Sequence, residues 1–355
     1  MKAMFLIMKK AWLTTKILAL GLIMLVSLLG CSTVGYYSQS VIGHSKLMLA
    51  RQPIKKAIAN SEGDTKQQLE AAVTLRRFAV ERLALPDNNS YLSYVPLKRE
   101  YPVWSVVAAP EFSLTPQSWC YPVVGCAAYR GYFSEAAAQK YAAGLNKKNF
   151  ETEVGGATAY STLGWFNDPL IPPMMQSGEA FLAQIMFHEL AHQQLYVKGN
   201  SSFNEAFATV VGEQGALLWL QEHAPDREAS YRELMQVKND FSALIKQTKE
   251  RLDTVYKSES TDEEKRQQKQ AVFTQLRGDY EILKAEKWGG KKYYRRWIEE
   301  PLNNAKLASF ATYRDLVPAF EELFDKCGRD YAKFYAVVSL QKGKGKASVV
   351  ANQCE

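Results

Sequence analysis

His188, Glu189 and His192 stand in the order His-Glu-x-x-His, within Phe187-His188-Glu189-Leu190-Ala191-His192. On an α-helix, residues four apart share a face, so the two imidazoles converge on one point. Two neutral imidazoles at one point suit Zn²⁺. Glu189 follows His188 directly and points about a third of a turn away. A carboxylate there reaches a metal-bound water without competing for the metal, which is the placement of a general base in hydrolysis. The chain has only four histidines. Scattering four at random gives such a pair around a Glu on the order of a few times per thousand chains, so the motif reads as a metal site.

A catalytic zinc takes a third protein ligand and keeps one position open. His44 lies close after the leader, and His223 sits at a helix end before Pro225, where an imidazole ordinarily meets free carbonyls. Carboxylates answer better. Lys198-Gly199-Asn200-Ser201-Ser202 turns the chain, and Asn204-Glu205-Ala206-Phe207-Ala208 opens the next helix. An antiparallel return sets the first turn of that helix beside the last turns of the motif helix, with Glu205 completing the set. The alternative for Glu205 is a capping box with Ser202. Glu213, two turns on, is the rival ligand or a carboxylate that orients a histidine. Asn204 and Thr209 are candidates for steadying the ligands from behind.

The elements that position these groups follow from periodicity. Phe181, Leu182, Ile185 and Met186 give the apolar face of a motif helix over 178–197, and a second helix is expected over 203–223. Upstream, residues 40–50 and 53–59 look helical around Pro53, and 64–84 form a stronger helix. Residues 91–175 change character to a small α/β lobe. Strands are expected over 103–107 and 127–133, and a short helix from Ser134 to about Leu145. Phe150–Val154 and Thr158–Trp165 read as two strands joined by Gly155-Gly156. The segment from Ala159 to Phe166 would then be an edge strand on which a substrate backbone lies. Residues 226–285 read as two long charged helices in a hairpin, turning near Lys257–Thr261. Their charge suggests a projecting solvated arm, with a lid or a docking surface for a protein partner as the alternatives. The fold class is α+β and mostly helical: a helical segment over 31–90, a small sheet lobe, then a helical lobe over 176–355.

The first thirty residues read as a leader. Lys2, Lys9, Lys10 and Lys16 precede an apolar run from Ile17 to Leu29, which is short for a spanning helix. The run ends in Leu28-Leu29-Gly30-Cys31, which resembles the lipobox of bacterial lipoproteins. The resemblance implies acylation of Cys31 and attachment to the cell envelope. In the lipoproteins it resembles, Ser after the cysteine, as Ser32 here, goes with sorting to the outer membrane, facing the periplasm. The alternative is an uncleaved membrane anchor with Cys31 incidental. Without the four leader lysines, 40 basic residues face 37 acidic ones, a balance that offers no basic field for nucleic acid. Lys342, Lys344 and Lys346 alternate with Gly343 and Gly345 in an expected solvated tail. An exported chain meets an oxidising compartment, so Cys120 with Cys126 is a candidate disulfide, and Cys327 with Cys354 follows by elimination. Free buried thiols are the alternative.

The His188-Glu189-x-x-His192 motif followed by Asn204-Glu205 resembles the gluzincin metallopeptidases, such as thermolysin-like enzymes. Those pair two helical histidines with a later glutamate on a neighbouring helix. Twelve residues separate His192 from Glu205 here, a shorter connection than the thermolysin pattern has. A closer resemblance runs through nearly all of the chain beyond the leader. It is carried by Gly30-Cys31-Ser32-Thr33-Val34-Gly35-Tyr36-Tyr37, by Gly125-Cys126-Ala127-Ala128-Tyr129-Arg130-Gly131-Tyr132-Phe133, by His188 to Ala208, and by Asn303-Asn304-Ala305-Lys306-Leu307 with Thr312-Tyr313. These stretches are similar to a family of bacterial envelope lipoproteins labelled aminopeptidases. The resemblance implies a zinc metallopeptidase acting on peptides. Zinc would activate water, Glu189 would move its proton to the leaving amine, and the oxyanion would need one further donor. Tyr160 and Tyr313 are the candidates for that donor, with plain packing as the alternative. Two other readings stay open: a zinc endopeptidase of the envelope, and a lipoprotein that binds zinc or a partner without catalysis.

Overall fold

A computed structural model describes residues 34–121, 125–311, 316–340 and 354. Cys31 with its leader, Tyr313, and the glycine–lysine tail lie outside the described residues. Helix α1 (residues 34–49) belongs to one compact unit, and Ala50–Glu355 form another, which holds His188, Glu189, His192 and Glu205.

The second unit opens on a short strand β1 (Gln52–Pro53), helix α2 (Ile54–Ala59) and the long helix α3 (Gly63–Glu81). Strand β2 (Ser93–Tyr94) pairs antiparallel with β1. Then come β3 (Trp104–Pro110), the disulfide-closed hairpin of β4 (Trp119–Tyr121) and β5 (Gly125–Ala127), and β6 (Arg130–Tyr132). Helix α4 (Glu135–Asn146) is capped by Ser134 and leads into β7 (Phe150–Gly156). The main sheet is antiparallel in the order β6-β3-β7. Its middle strand is buried almost throughout, from Val106 to Ala109.

Two sequence expectations change here. Gly155-Gly156 is not a turn. Strand β7 runs straight through it, with Gly155 opposite Ser105 and Gly156 opposite Trp104. A Cβ on Gly156 would fall 2.0 Å from the Tyr101 ring, so the glycine makes room for an aromatic rather than for a reversal. Residues 158–165 therefore pair with no strand and form an irregular loop. Leu163 (φ +54°) and Gly164 (φ +81°) bend it in the left-handed region. The Asp168 carboxylate closes it by accepting from the Thr162 amide at 3.0 Å and the Thr162 hydroxyl at 2.7 Å. The sheet edge is carried by β7 instead.

After the short α5 (Pro172–Met175) come α6 (Glu179–Gln194) and α7 (Ser201–His223). Helix α7 is the centre of the unit. It is apolar on nearly every side, with Phe203, Phe207, Val210, Val211, Ala216 and Leu220 all buried. Phe78 of α3 reaches Phe187 of α6 and Trp219 of α7, at ring distances of 6.0 and 5.1 Å. Most of this core therefore comes from helices distant in sequence.

The hairpin of α8 (Glu228–Lys257) and α9 (Asp262–Lys287) turns at Ser258–Thr261, where Thr261 and Glu264 form a capping box. It does not project free. Phe241, Ile245, Leu252, Phe273 and Leu276 give it its own core. Its turn end is fixed to the sheet: Arg266 pairs with Glu111 at 2.7 Å, and Lys269 pairs with Glu151 and donates to the Glu111 carbonyl. The charges that suggested a solvated arm are in part this fastening. Helices α10 (Arg295–Glu299) and α11 (Asn304–Ala311) follow. Ala305 and Ala308 of α11 cover Val107 and Ala109 of β3. Helices α12 (Val317–Lys326) and α13 (Tyr331–Ser339) close the main core, with Phe320 against Phe203 and Phe334 against Phe207. Cys327 is bonded to Cys354. Among the described residues no helix is long and apolar enough to cross a membrane.

Candidate metal centre

Helices α6 and α7 are antiparallel neighbours joined by residues 195–200. Two glycines let them approach closely. A Cβ on Gly212 would lie 2.6 Å from the Gln184 carbonyl oxygen and 3.1 Å from His188 Cβ. On Gly215 it would meet Leu83 at 2.7 Å and Phe187 at 2.8 Å. Helix α6 ends at Gln194, earlier than its periodicity suggests, because Leu195 is extended and buried. Asn204 explains the early stop. Its side chain accepts from the Val197 amide at 2.7 Å and donates to the Val197 carbonyl at 2.8 Å, which holds the connection extended. Asn204 is thus a clasp across the connection, next in sequence to Glu205.

This packing brings three donors together. His188 Nε2 and His192 Nε2 are 3.2 Å apart. Glu205 Oε2 is 3.3 Å from the first, and its Oε1 is 3.6 Å from the second. The start of α7 is capped by Asn200, whose side chain accepts from Phe203 N, so Glu205 faces the histidines while another residue does the capping. Donors about 2.1 Å from a shared tetrahedral ion stand about 3.4 Å from one another. The three observed separations bracket that value. His188, His192 and Glu205 therefore form a group able to hold a metal ion. The His192 side chain is 5% exposed, and its Nδ1 is buried without a hydrogen-bond partner among the described residues, so Nε2 is the nitrogen turned to the shared point.

The electrostatics match the geometry. Burial alone would raise the Glu205 carboxyl, but the hydrogen bonds and charges of the two histidines outweigh it and hold the group well below the usual carboxylate range. Burial would lower the His188 imidazolium, and Glu205, with Glu189 and Glu213 adding their charge, reverses the shift to an upward one.

Glu189 stays outside the trio of donors. It lines, with His188, a cavity of about 370 Å³ that also includes Thr158, Ala159, Thr209 and Glu213. The turn side of α6 is steadied by polar contacts around Gln193, the residue after His192. Asn88 Nδ2 donates to Gln193 Oε1 at 2.7 Å, and Gln193 Nε2 donates to Asp168 at 3.0 Å. Buried Arg76 shapes the segment that carries Asn88, between α3 and β2, by donating to the carbonyls of Pro86, Asn88 and Ser90. Burial pushes the Asp168 carboxyl up to about 6, opposed by its Thr162 and Gln193 hydrogen bonds and reinforced by the charge of Glu189.

A family model described as "putative aminopeptidase" matches residues 35–348. The chain belongs to that family. Comparison with curated proteins and with solved structures returns no match.

In this family member, Glu213 stands 3.8 Å from Lys238 of α8 and is not one of the three donors, though its charge acts on His188. Tyr160 packs against Phe133 at a ring distance of 5.8 Å and against the main core. Its neighbours Thr158 and Ala159, rather than Tyr160, line the cavity. Burial, and then the charge of Asp168, push its hydroxyl far up. Two residues near the site escaped the sequence reading. Tyr196 lies 6.4 Å ring to ring from His192, and burial and then the Glu205 charge raise its hydroxyl. Its only signal in the sequence was its place four residues after His192. Lys238, on the cavity wall, had none.

Proposed function

We propose that this protein is a zinc-dependent peptidase of the aminopeptidase type, with His188, His192 and Glu205 as the metal ligands and Glu189 as general base. The observation that supports it is the set of three donor separations, each near the edge of a zinc-sized tetrahedron. Two imidazoles and one carboxylate are a donor set zinc takes readily, and three protein ligands leave a position for substrate. A bound zinc ion would supply Lewis acidity toward the scissile carbonyl. The residues supply the rest. Glu189, beside the ligands on the cavity wall, takes a proton from the attacking water and returns it to the leaving amine. Asn204 and the close α6–α7 approach keep Glu205 in reach of both histidines. Residues 158–159 and the wall of α6 around Phe181 and Ile185 hold the peptide.

Attachment to the outer membrane through an acylated Cys31 is part of the same proposal, carried by the leader and Leu28-Leu29-Gly30-Cys31. The test is cleavage of a peptide library by the purified protein, with N-blocked and free peptides compared, before and after chelation and zinc return. Loss of cleavage on chelation and recovery with zinc is expected, with free amino termini preferred. Cleavage indifferent to chelation would remove the metal from the chemistry.

A further inference from the structure

The cavity that begins at His188 and Glu189 also reaches Glu213 and Lys238. Lys238 comes from the hairpin, not from the motif helices. Its ammonium donates to Gln184 Oε1 at 3.1 Å and stands 3.8 Å from the Glu213 carboxylate. The Tyr231 hydroxyl donates to the same Gln184 oxygen at 3.2 Å, which fixes the amide. The two charges are unequally placed: the Glu213 side chain is 1% exposed and that of Lys238 is 28% exposed. The acid is the buried member, and the lysine is the partly exposed one on the cavity wall. A buried acid and an amide behind a lysine tip restrain a side chain that is otherwise rotamer-rich. The lining is mixed, and its apolar part, with Phe181, Ile185 and Phe310, lowers the local polarity in which a charge-assisted hydrogen bond forms. A carboxylate entering the cavity finds a cation on its wall in Lys238.

We propose that Lys238 is a specificity-determining residue whose ammonium binds a carboxylate of the peptide held in this cavity. This deepens the peptidase reading and rests on it. The carboxylate is a free C-terminus or an acidic side chain, and one experiment separates the two. In a Glu189→Gln background, which stops turnover, calorimetry compares Ala-Ala-Ala with its C-terminal amide, and Ala-Glu-Ala amide with Ala-Gln-Ala amide. One charged member binds about tenfold or more tightly than its neutral partner, and the arm in which this occurs names the source. Lys238→Met brings that ratio to about one, and Lys238→Arg keeps most of it. The double variant Lys238→Met/Glu213→Gln, which leaves no buried unpaired acid, loses it as well. An undiminished ratio in both Met variants, or no preference in either arm before mutation, overturns the assignment. Hydrolysis by the unmutated protein is read separately. A Lys238-dependent preference without any hydrolysis would sink the peptidase reading and leave the carboxylate site standing.

Discussion

Gly212 of α7 lies so close to His188 of α6 that a side chain cannot fit between them: a Cβ would sit 3.1 Å from His188 Cβ and 2.6 Å from the Gln184 carbonyl. The second contact is with helix backbone, which cannot swing aside. Gly212→Ala should push the helices apart, cost about 1–3 kcal/mol of stability, and weaken metal binding because Glu205 moves with α7. Thermal melting and metal titration together check this. A variant with unchanged melting temperature and metal affinity would mean the helix spacing does not set the site.

Glu189→Gln keeps the size of the side chain and removes the proposed base. Turnover should fall by about 10²–10⁴-fold while bound metal stays equimolar, since Glu189 is outside the trio of donors. Elemental analysis beside a peptide assay reads both. Near-parental turnover would take Glu189 out of the proton-transfer role.

Glu205→Ala and Asn204→Ala should separate a ligand from its support. The first removes a donor, and metal affinity should drop by more than about 100-fold. The second removes two hydrogen bonds to Val197 and should cost about 1–3 kcal/mol of stability with about a 10–100-fold loss of metal affinity. Equal metal content in Glu205→Ala and parent would return Glu205 to a structural role.

Asp168 gives a pH signature. Its carboxyl is raised from 3.8 to about 6 in the folded protein, so between those values the folded state binds more protons than the unfolded one. Its contribution therefore favours folding at the acid end and is lost as pH rises from about 4 to about 6, by about 3 kcal/mol across the window. Asp168→Asn removes this slope. The difference in unfolding free energy between parent and variant, measured from pH 4 to 7, should shift in that sense. A pH-independent difference would show that the raised value is not expressed.

The sequence by itself determined the chemistry that is local. His188, Glu189 and His192 sit on one helix, and helical period alone puts two rings on one face. The short turn through Asn200 returned the chain at once, which limited where Glu205 could go. The α8–α9 hairpin was legible for the same reason, from apolar period and a run of polar residues at its turn near Lys257–Thr261. The mostly helical α+β class followed from such elements.

Only the tertiary structure decided the rest. Gly155-Gly156 looks like a turn until Tyr101, far back in sequence, is seen lying against Gly156. The ring closes the space a side chain would fill, the strand continues, and residues 158–165 become a loop. The charged hairpin looked solvated until Glu111 and Glu151 were found facing Arg266 and Lys269. Tyr196 reaches the site from an extended connection that has no period to read, and Lys238 reaches it through the docking of α8 beside Gln184 of α6, which the period of α8 does not reveal. Local pattern fixes which residues share a face, whereas partners remote in the chain are chosen by how whole faces pack, and no short stretch of sequence holds that information.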